Sequence, residues 1–382
     1  VIDPTVTTMD DLGAGLYELV EQYTALGPHR TATPGDAATV DWLGELLAAR
    51  GLEVRRQPVP FTRWVASSSL TAGSAEIEHL PLPYCWTGEI DTDDVHLASF
   101  DPRHGGFPEV VDEPLAAARH AGRRAVVLAT QHPNGSLVGI NRHDLALHPA
   151  GLPAVLVAGR DAARCGTGPL RLTMRAGLEP VTTTNLLARS GPTGRPLVLT
   201  TPLTGWFGCA GERGTGIAVL AHLVERFAHL PLMVVATGGH ELGFLGAHHA
   251  VTALQADPVA VVHLGASLGV EATGPDGVRR PASGRHAMTN IDDTAAGPLA
   301  AALAPANLPL RSRPDRWVGE GQLWHTTGLP LLSISGAAVD FHTPEDLPDR
   351  VTSPATMATT AAAIGDAVAA LAALTAAPAG RA

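Results

Sequence analysis

Leu232-Met233-Val234-Val235-Ala236-Thr237 runs directly into Gly238-Gly239-His240-Glu241-Leu242-Gly243. A short uncharged, largely apolar run reads as a strand buried on both faces, and the glycines end it. The loop that follows sets an imidazole beside a carboxylate. Working outward, Gly216 to Leu230 reads as a helix and Pro196 to Thr201 as an earlier buried strand. Val259 to Leu264 and Leu329 to Ser335 are later strands of the same kind. Continuous apolar strands separated by helices predict an α/β fold, with a mostly parallel central sheet and helices on both faces.

The rest of the chain fits around that sheet. Asp10 to Leu26 and Ala37 to Arg50 place apolar residues at helical spacing. Gly51 is a natural helix stop, and Leu52 to Phe61 reads as a strand. From Ser67 to Val181 the texture changes to short apolar runs, such as Ala125 to Leu128 and Pro153 to Val157, split by turns such as His132-Pro133-Asn134-Gly135. The expected organisation is one α/β domain built from 1–66 and 182–382, interrupted by a small β-rich module at 67–181. Ser353 is an expected N-cap with Pro354 in the first turn. The Ala-rich helix it starts runs to about Thr375 and leaves a loose tail.

Composition excludes several function classes. The 382 residues are 45% hydrophobic, enough for a large core. The formal net charge is -11, and all 26 basic residues are arginine, with no basic stripe interleaved with aromatics. Nucleic acid is therefore not an expected partner. No apolar run reaches the ~20 residues that cross a bilayer, so no membrane partner is expected either. Val1 to Asp10 lacks the order of a secretion signal. Cys85, Cys165 and Cys209 cannot all pair, which suits a reducing, cytoplasmic setting. Oligomeric state is not legible.

In a doubly wound sheet, ligands bind beyond the C-terminal ends of the strands. Four segments leave strands in that direction: Thr201 to Thr204, Gly211 to Gly216, Gly239 to Gly243, and Asp340 to Asp346. Acids and histidines converging there are the donor chemistry of a divalent metal site.

Several ordered motifs resemble the co-catalytic zinc aminopeptidases, a family that also contains the glutaminyl cyclases. They are Gly27-Pro28-His29-Arg30 with Pro34-Gly35, Thr184-Asn185-Leu186-Leu187-Ala188, Gly238 to Gly246, Gly328-Leu329-Pro330, and Phe341-His342-Thr343-Pro344-Glu345-Asp346. The inserted region, with Ala121 to Val127 and Leu152 to Val155, is similar to a protease-associated domain. Against the family pattern, Pro202 stands at a metal-binding His, Thr204 at an Asp, and Gly265 at a metal-binding Asp. Glu212-Arg213 replaces Asp-Asn, and His240-Glu241 replaces Glu-Glu.

The resemblance implies that the first zinc site is lost, since Pro202 and Gly265 have no ligating side chain. It implies that a single zinc would be held by Glu212, Glu241 and His342. The alternative for Glu212 is an ion pair with Arg213 at the surface. His240 stands at the position of the family's general base, and an imidazole suits that role near neutral pH. Glu320 stands where it would bind a substrate amine or orient a catalytic group. Trp206, Phe207, Trp317, Trp324 and Phe341 flank these segments as candidate walls of an apolar pocket.

The expected function is an aminopeptidase-like hydrolase, or a cyclase or acyl transferase, acting on a small amino-acid amide or peptide with at most one zinc. A metal-free protein of the same fold, either a binding module or an enzyme rebuilt without zinc, is the alternative. Gly265-Ala266-Ser267-Leu268-Gly269 offers a third reading, a serine hydrolase, provided that a helix follows Ser267.

Overall fold

The computed structural model describes residues 8–101, 109–142, 151–190, 192–254 and 257–376. The expected loose tail lies in 377–382, outside the described residues. The chain opens with helices α1 (Met9–Ala25) and α2 (Pro34–Ala49) and strand β1 (Glu53–Ala72). The inserted region carries β2 (Ala75–Glu76), β3 (His79–Pro81), β4 (Gly88–Thr92), β5 (Val95–Phe100), α3 (Glu109–His120), β6 (Ala125–Thr130), β7 (Ala154–Val157) and α4 (Ala162–Cys165). The chain returns through β8 (Leu170–Arg189) to β9 (Leu197–Pro202), α5 (Thr215–Arg226), β10 (Leu232–Thr237), α6 (Leu245–Thr252) and β11 (Ala260–Leu264). After the small hairpin β12 (Glu271–Thr273) and β13 (Arg279–Pro281) come β14 (His286–Thr289), α7 (Asp293–Leu303), β15 (Leu310–Ser312), α8 (Gly321–His325), β16 (Leu331–Ser335), α9 (Pro348–Val351) and α10 (Pro354–Ala376).

The main sheet runs β15-β14-β16-β11-β9-β10-β8-β1-β2, with β4 also paired to β8. Its centre is parallel: β16, β11, β9 and β10 are the uncharged strands read from the sequence. Its flanks are not. β8 pairs antiparallel with β10 and β1, and β14 antiparallel with β16. The expected α/β architecture is present, with a central sheet that is mixed around a parallel core. A parallel centre needs both faces covered, and the principal apolar cluster draws on α1, α2, α5, α7 and α10 as well as the strands.

The inserted module is not joined by linkers. β1 and β8 pair in register from Glu53↔Arg189 to Ala72↔Leu170, so one 20-residue ribbon belongs to both halves of the molecule. The expected boundaries at 66/67 and 181/182 fall inside it. Beyond them a second cluster forms, in which Leu70 of β1 and Leu172 of β8 join Leu128 and Leu156 of the four-stranded sheet β3-β7-β6-β5. Pro58, Pro60 and the polar residues of β1 hide its length from a periodicity reading.

α1 starts at a capping box in which Thr8 and Asp11 bond reciprocally. α10 starts as expected, with Ser353 Oγ accepting from the Thr356 N–H. By length and composition α10 reaches the bilayer-spanning range, against the expectation that no apolar run does. Met357, Ala361, Ile364, Val368 and Leu371 bury its inner face in the principal core.

Asn185 on β8 fixes the loop that carries His240. Its Nδ2 donates to Gln57 Oε1 (2.9 Å) and to the Gly246 carbonyl (2.8 Å), and its Oδ1 accepts from the Gly238 N–H (3.1 Å). A Cβ on Gly246 would lie 2.2 Å from Asn185 Oδ1, so only glycine admits this approach. Asn185→Ala should cost about 2–4 kcal/mol, because buried backbone groups lose their partners. Urea unfolding checks this, and an unchanged midpoint would refute it.

Candidate functional site

The loops that follow β9, β10 and β16, with the turn before α5, meet at the C-terminal ends of the parallel strands. One π-helical turn, Ala210–Gly214, brings Glu212 and Arg213 inward. A single 3₁₀ turn, His240–Leu242, presents His240 and Glu241. Gly239 (φ 75°) and Gly243 (φ 72°) bracket that turn in the left-handed region that glycine tolerates.

Glu212 is buried, and so is the whole of Arg213. Arg213 Nη2 donates to Glu212 Oε1 at 2.7 Å, and its Nε donates to the Thr204 carbonyl at 2.8 Å. His342 Nε2 lies 3.3 Å from the same carboxylate oxygen. Burial alone would raise the Glu212 carboxyl, but Arg213 and then His342 outweigh it and bring it down to about 2. The ion pair anticipated at the surface is thus an interior one. Asp346 accepts from the Gly211 and Glu212 N–H groups at 2.6 and 3.0 Å, anchoring the π turn. Burial pushes Asp346 up to about 7 against those two donors.

Glu241 belongs to a different network. Its Oε1 accepts from the Thr31 N–H (2.7 Å) and its Oε2 from Thr204 Oγ (2.8 Å). Arg30 Nε stands 3.4 Å from Oε1. Thr204 Oγ also receives the Gly239 and His240 N–H groups at 3.0 and 3.1 Å. Thr204 therefore ties the three loops together.

His240 and Glu320 are in contact. The His240 Nδ1–H donates to Glu320 Oε2 at 2.9 Å, and Thr237 Oγ donates to Glu320 Oε1 at 2.5 Å. Burial lowers His240 below the usual imidazole range and Arg213 adds to that, while the Glu320 hydrogen bond opposes it. Burial would raise Glu320, but the hydrogen bond and charge of His240 bring it below the usual range. At neutral pH the pair is a neutral imidazole aligned by a carboxylate. His263 on β11 lies beneath them, buried, with neither ring nitrogen bonded among the described residues, and burial takes it down to about 4.

The residues do not fit a zinc ion. His342 alone is arranged as a ligand would be: its Nδ1–H donates to the Gly139 carbonyl (3.1 Å), leaving Nε2 toward Glu212. Glu241, the expected third donor, has both oxygens engaged elsewhere. Two guanidinium groups already supply the positive charge that a metal would bring to these carboxylates. Among the described residues, no group of three or more His, Cys, Asp or Glu side chains could hold a metal ion. The other family site is closed by packing as well as by chemistry. A Cβ at Gly265 would lie 2.3 Å from Ser335 Oγ and 2.9 Å from the Ile334 carbonyl.

The aromatic candidates separate. Trp206 is at the site, its Nε1 donating to Asn141 of the inserted region (2.8 Å). Phe207 neighbours Trp206, and its carbonyl accepts from the His29 N–H. Phe341 stacks on His342 at 4.0 Å and lines a cavity of about 280 Å³ with His132 and Val339. Trp317 and Trp324 instead join a core cluster with Val198, Val235 and Leu331. Cys209 is wholly buried, and burial with nearby Glu212 pushes its thiol far up. Ser267 is buried at φ 60°, with a turn and then β12 after it, so the helix that a nucleophile elbow needs is missing.

Sequence reasoning assigned no role to Arg30, Thr31 or Thr237, and none to Arg213 beyond a surface ion pair. It had Arg30 only as part of an opening motif and Thr204 only as a departure. Arginines in Gly-rich turns were the available signal.

Structures of similar fold place this arrangement. A zinc aminopeptidase from Bacillus subtilis superposes with a TM-score of 0.72 at 16% identity, over 94% of both chains. A peptidase precursor from Shewanella amazonensis gives 0.67 at 18% identity, over 95% of this chain and 96% of that one. An aminopeptidase from Aneurinibacillus gives 0.61 at 17% identity, over 93% of each. The chain has the zinc aminopeptidase fold, as its motifs implied. No protein-family model and no curated protein sequence matches it.

Two outcomes follow from the buried pair. Arg213→Leu leaves Glu212 charged and unpaired, and should cost about 3–5 kcal/mol in chemical denaturation. Zinc in excess, compared with a chelator, should leave the Tm of the wild-type chain unmoved. A rise on adding zinc would show that Glu241 rotates to complete a metal site.

Proposed function

We propose that this protein is a metal-independent amide hydrolase or acyl-transfer enzyme on the zinc aminopeptidase fold, acting on amino-acid or peptide amides. The observation that carries this reading is the His240–Glu320 hydrogen bond at 2.9 Å, set where loops from parallel strands converge. A histidine whose Nδ1–H is held by a buried carboxylate presents Nε2 as its basic atom. The His240 side chain keeps 11% exposure, so that atom is within reach of a ligand.

The chemistry asked of the chain is limited. His240 Nε2 takes a proton from the attacking group, either water or the substrate's own amine. It then returns that proton to the departing amine. Glu320 holds the ring and stabilises the imidazolium that forms between the two steps. Arg213 does not enter the reaction: it is wholly buried, with Nη2 on Glu212 and Nε on the Thr204 carbonyl.

A binding module is the second reading, favoured by the saturation of Glu212 and Glu241. The two separate on turnover. Aminoacyl nitroanilides and dipeptide amides, assayed with and without chelator, should be turned over at the same rate in both conditions. His240→Ala should lower kcat by about 10²–10⁴-fold. The acid limb of the pH–rate profile should lie below the ordinary imidazole pKa of about 6.5, because burial and Arg213 both disfavour the charged ring. The base form exists above that limb, so activity falls as pH drops through it. Glu320→Gln removes the charge that raises His240 and should move the limb further acid. Loss of activity to chelator, or turnover unaffected in His240→Ala, defeats the proposal.

A further inference from the structure

The resemblance to aminopeptidases implies a substrate amine bound near Glu320. The geometry disagrees. Glu320 is buried, with one oxygen engaged by Thr237 and the other by His240. Glu241 and Glu212 are likewise engaged. Arg213 Nη1 is also without a partner among the described residues, but that side chain is wholly buried, whereas Arg30 holds its spare donors at a partly exposed position.

Arg30 lies on the loop between α1 and α2, and that loop is pinned on both sides of it. The His29 N–H donates to the Phe207 carbonyl at 3.0 Å, and the Gly205 N–H to the His29 carbonyl at 3.1 Å. The Thr31 N–H donates to Glu241 at 2.7 Å. The guanidinium rests over the face of Trp206, its Cζ 3.6 Å from the ring centroid. The indole is fixed in turn by Asn141 and by the backbone at Gly139, where a Cβ would lie 2.2 Å from the ring. Glu241 faces Nε, at 3.4 Å, and supplies counter-charge from the side. The two Nη nitrogens bond no partner among the described residues, and the side chain is 31% exposed. The neighbouring cation, Arg63, turns its Nη1 to the Thr31 and Ala32 carbonyls at 3.2 and 2.7 Å.

A guanidinium seated over an indole face, with its two Nη nitrogens unoccupied, matches the two oxygens of a carboxylate. We propose that Arg30 anchors a free carboxylate of the ligand, so that the protein takes peptide-like amides recognised by their acid end rather than by their amine. Glu241 orients Arg30 without filling the fork, and Trp206 supports it from one face. This deepens the proposed function and rests on the same cleft being the substrate site.

Calorimetric titration of the full chain with three probes tests it: alanyl-alanine, its C-terminal amide, and its N-acetyl derivative. The free and acetylated dipeptides should bind alike, and the amide at least tenfold more weakly. Arg30→Met should bring all three to the level of the amide. Arg30→Lys, which keeps charge without the fork, should fall between. His240→Ala should bind as the wild type does while losing turnover, so failure of the base and failure of the anchor are distinguishable. Equal binding of acid and amide, or absence of binding by all three probes, overturns the proposal. The acid–amide comparison uses the wild-type chain, so it stands even where the Arg30 variants fold poorly.

Discussion

The site is organised around one interior ion pair, Arg213 with Glu212. Two charges removed from water are favourable only when each is hydrogen-bonded as well as paired. Here Glu212 lies between a guanidinium and the His342 ring, and Arg213 spends its Nε on the Thr204 carbonyl. Thr204 then carries the constraint onward, through its hydroxyl, to Glu241 and to the turn that presents His240. Breaking the pair would leave a bare carboxylate beneath three loops.

The fold was legible because its deciding elements are simple. β9, β10, β11 and β16 are short uncharged runs with no other structural reading, and their order with α5 between them defines a parallel centre. What the sequence obscured was the β1–β8 ribbon. Much of it is exposed or only half-buried and it includes prolines, so hydrophobic period marks neither its length nor its role as a bridge. A boundary drawn where the texture changes falls inside continuous strands, because texture reports burial and not chain continuity. α10 was legible as a helix through its capping signals, but its place in the core depends on α1, α5 and α7 packing against it.

The site was legible by position and illegible by partnership. Motif order placed His240, Glu241, Glu212 and His342 on converging loops, and Glu320 behind them. It did not reveal that Glu320 lies against His240, eighty positions away in the chain, since no local spacing encodes that contact. Nor did it reveal which carboxylate faces which cation. Glu212 and Glu241 have the same donor chemistry on paper. One is bound by Arg213 and the other by backbone and hydroxyl donors with Arg30 beside it, and only the folded loops decide this.

The departures from the aminopeptidase pattern are therefore coordinated. Gly265, where the resemblance implies a metal-binding Asp, is held close by Ser335 and the β16 backbone, so no acid fits there without displacing them. Thr204, at another changed position, is the acceptor and donor that holds three loops. Arg213 brings permanently fixed positive charge to a place where a metal would bring removable charge. A decaying metal site would leave unpaired carboxylates, which a protein interior tolerates poorly. The carboxylates Glu212, Glu241 and Glu320 are instead each satisfied by a specific donor set. Around these carboxylates the His240 ring is oriented by Glu320, and the two Nη nitrogens of Arg30 carry no partner among the described residues.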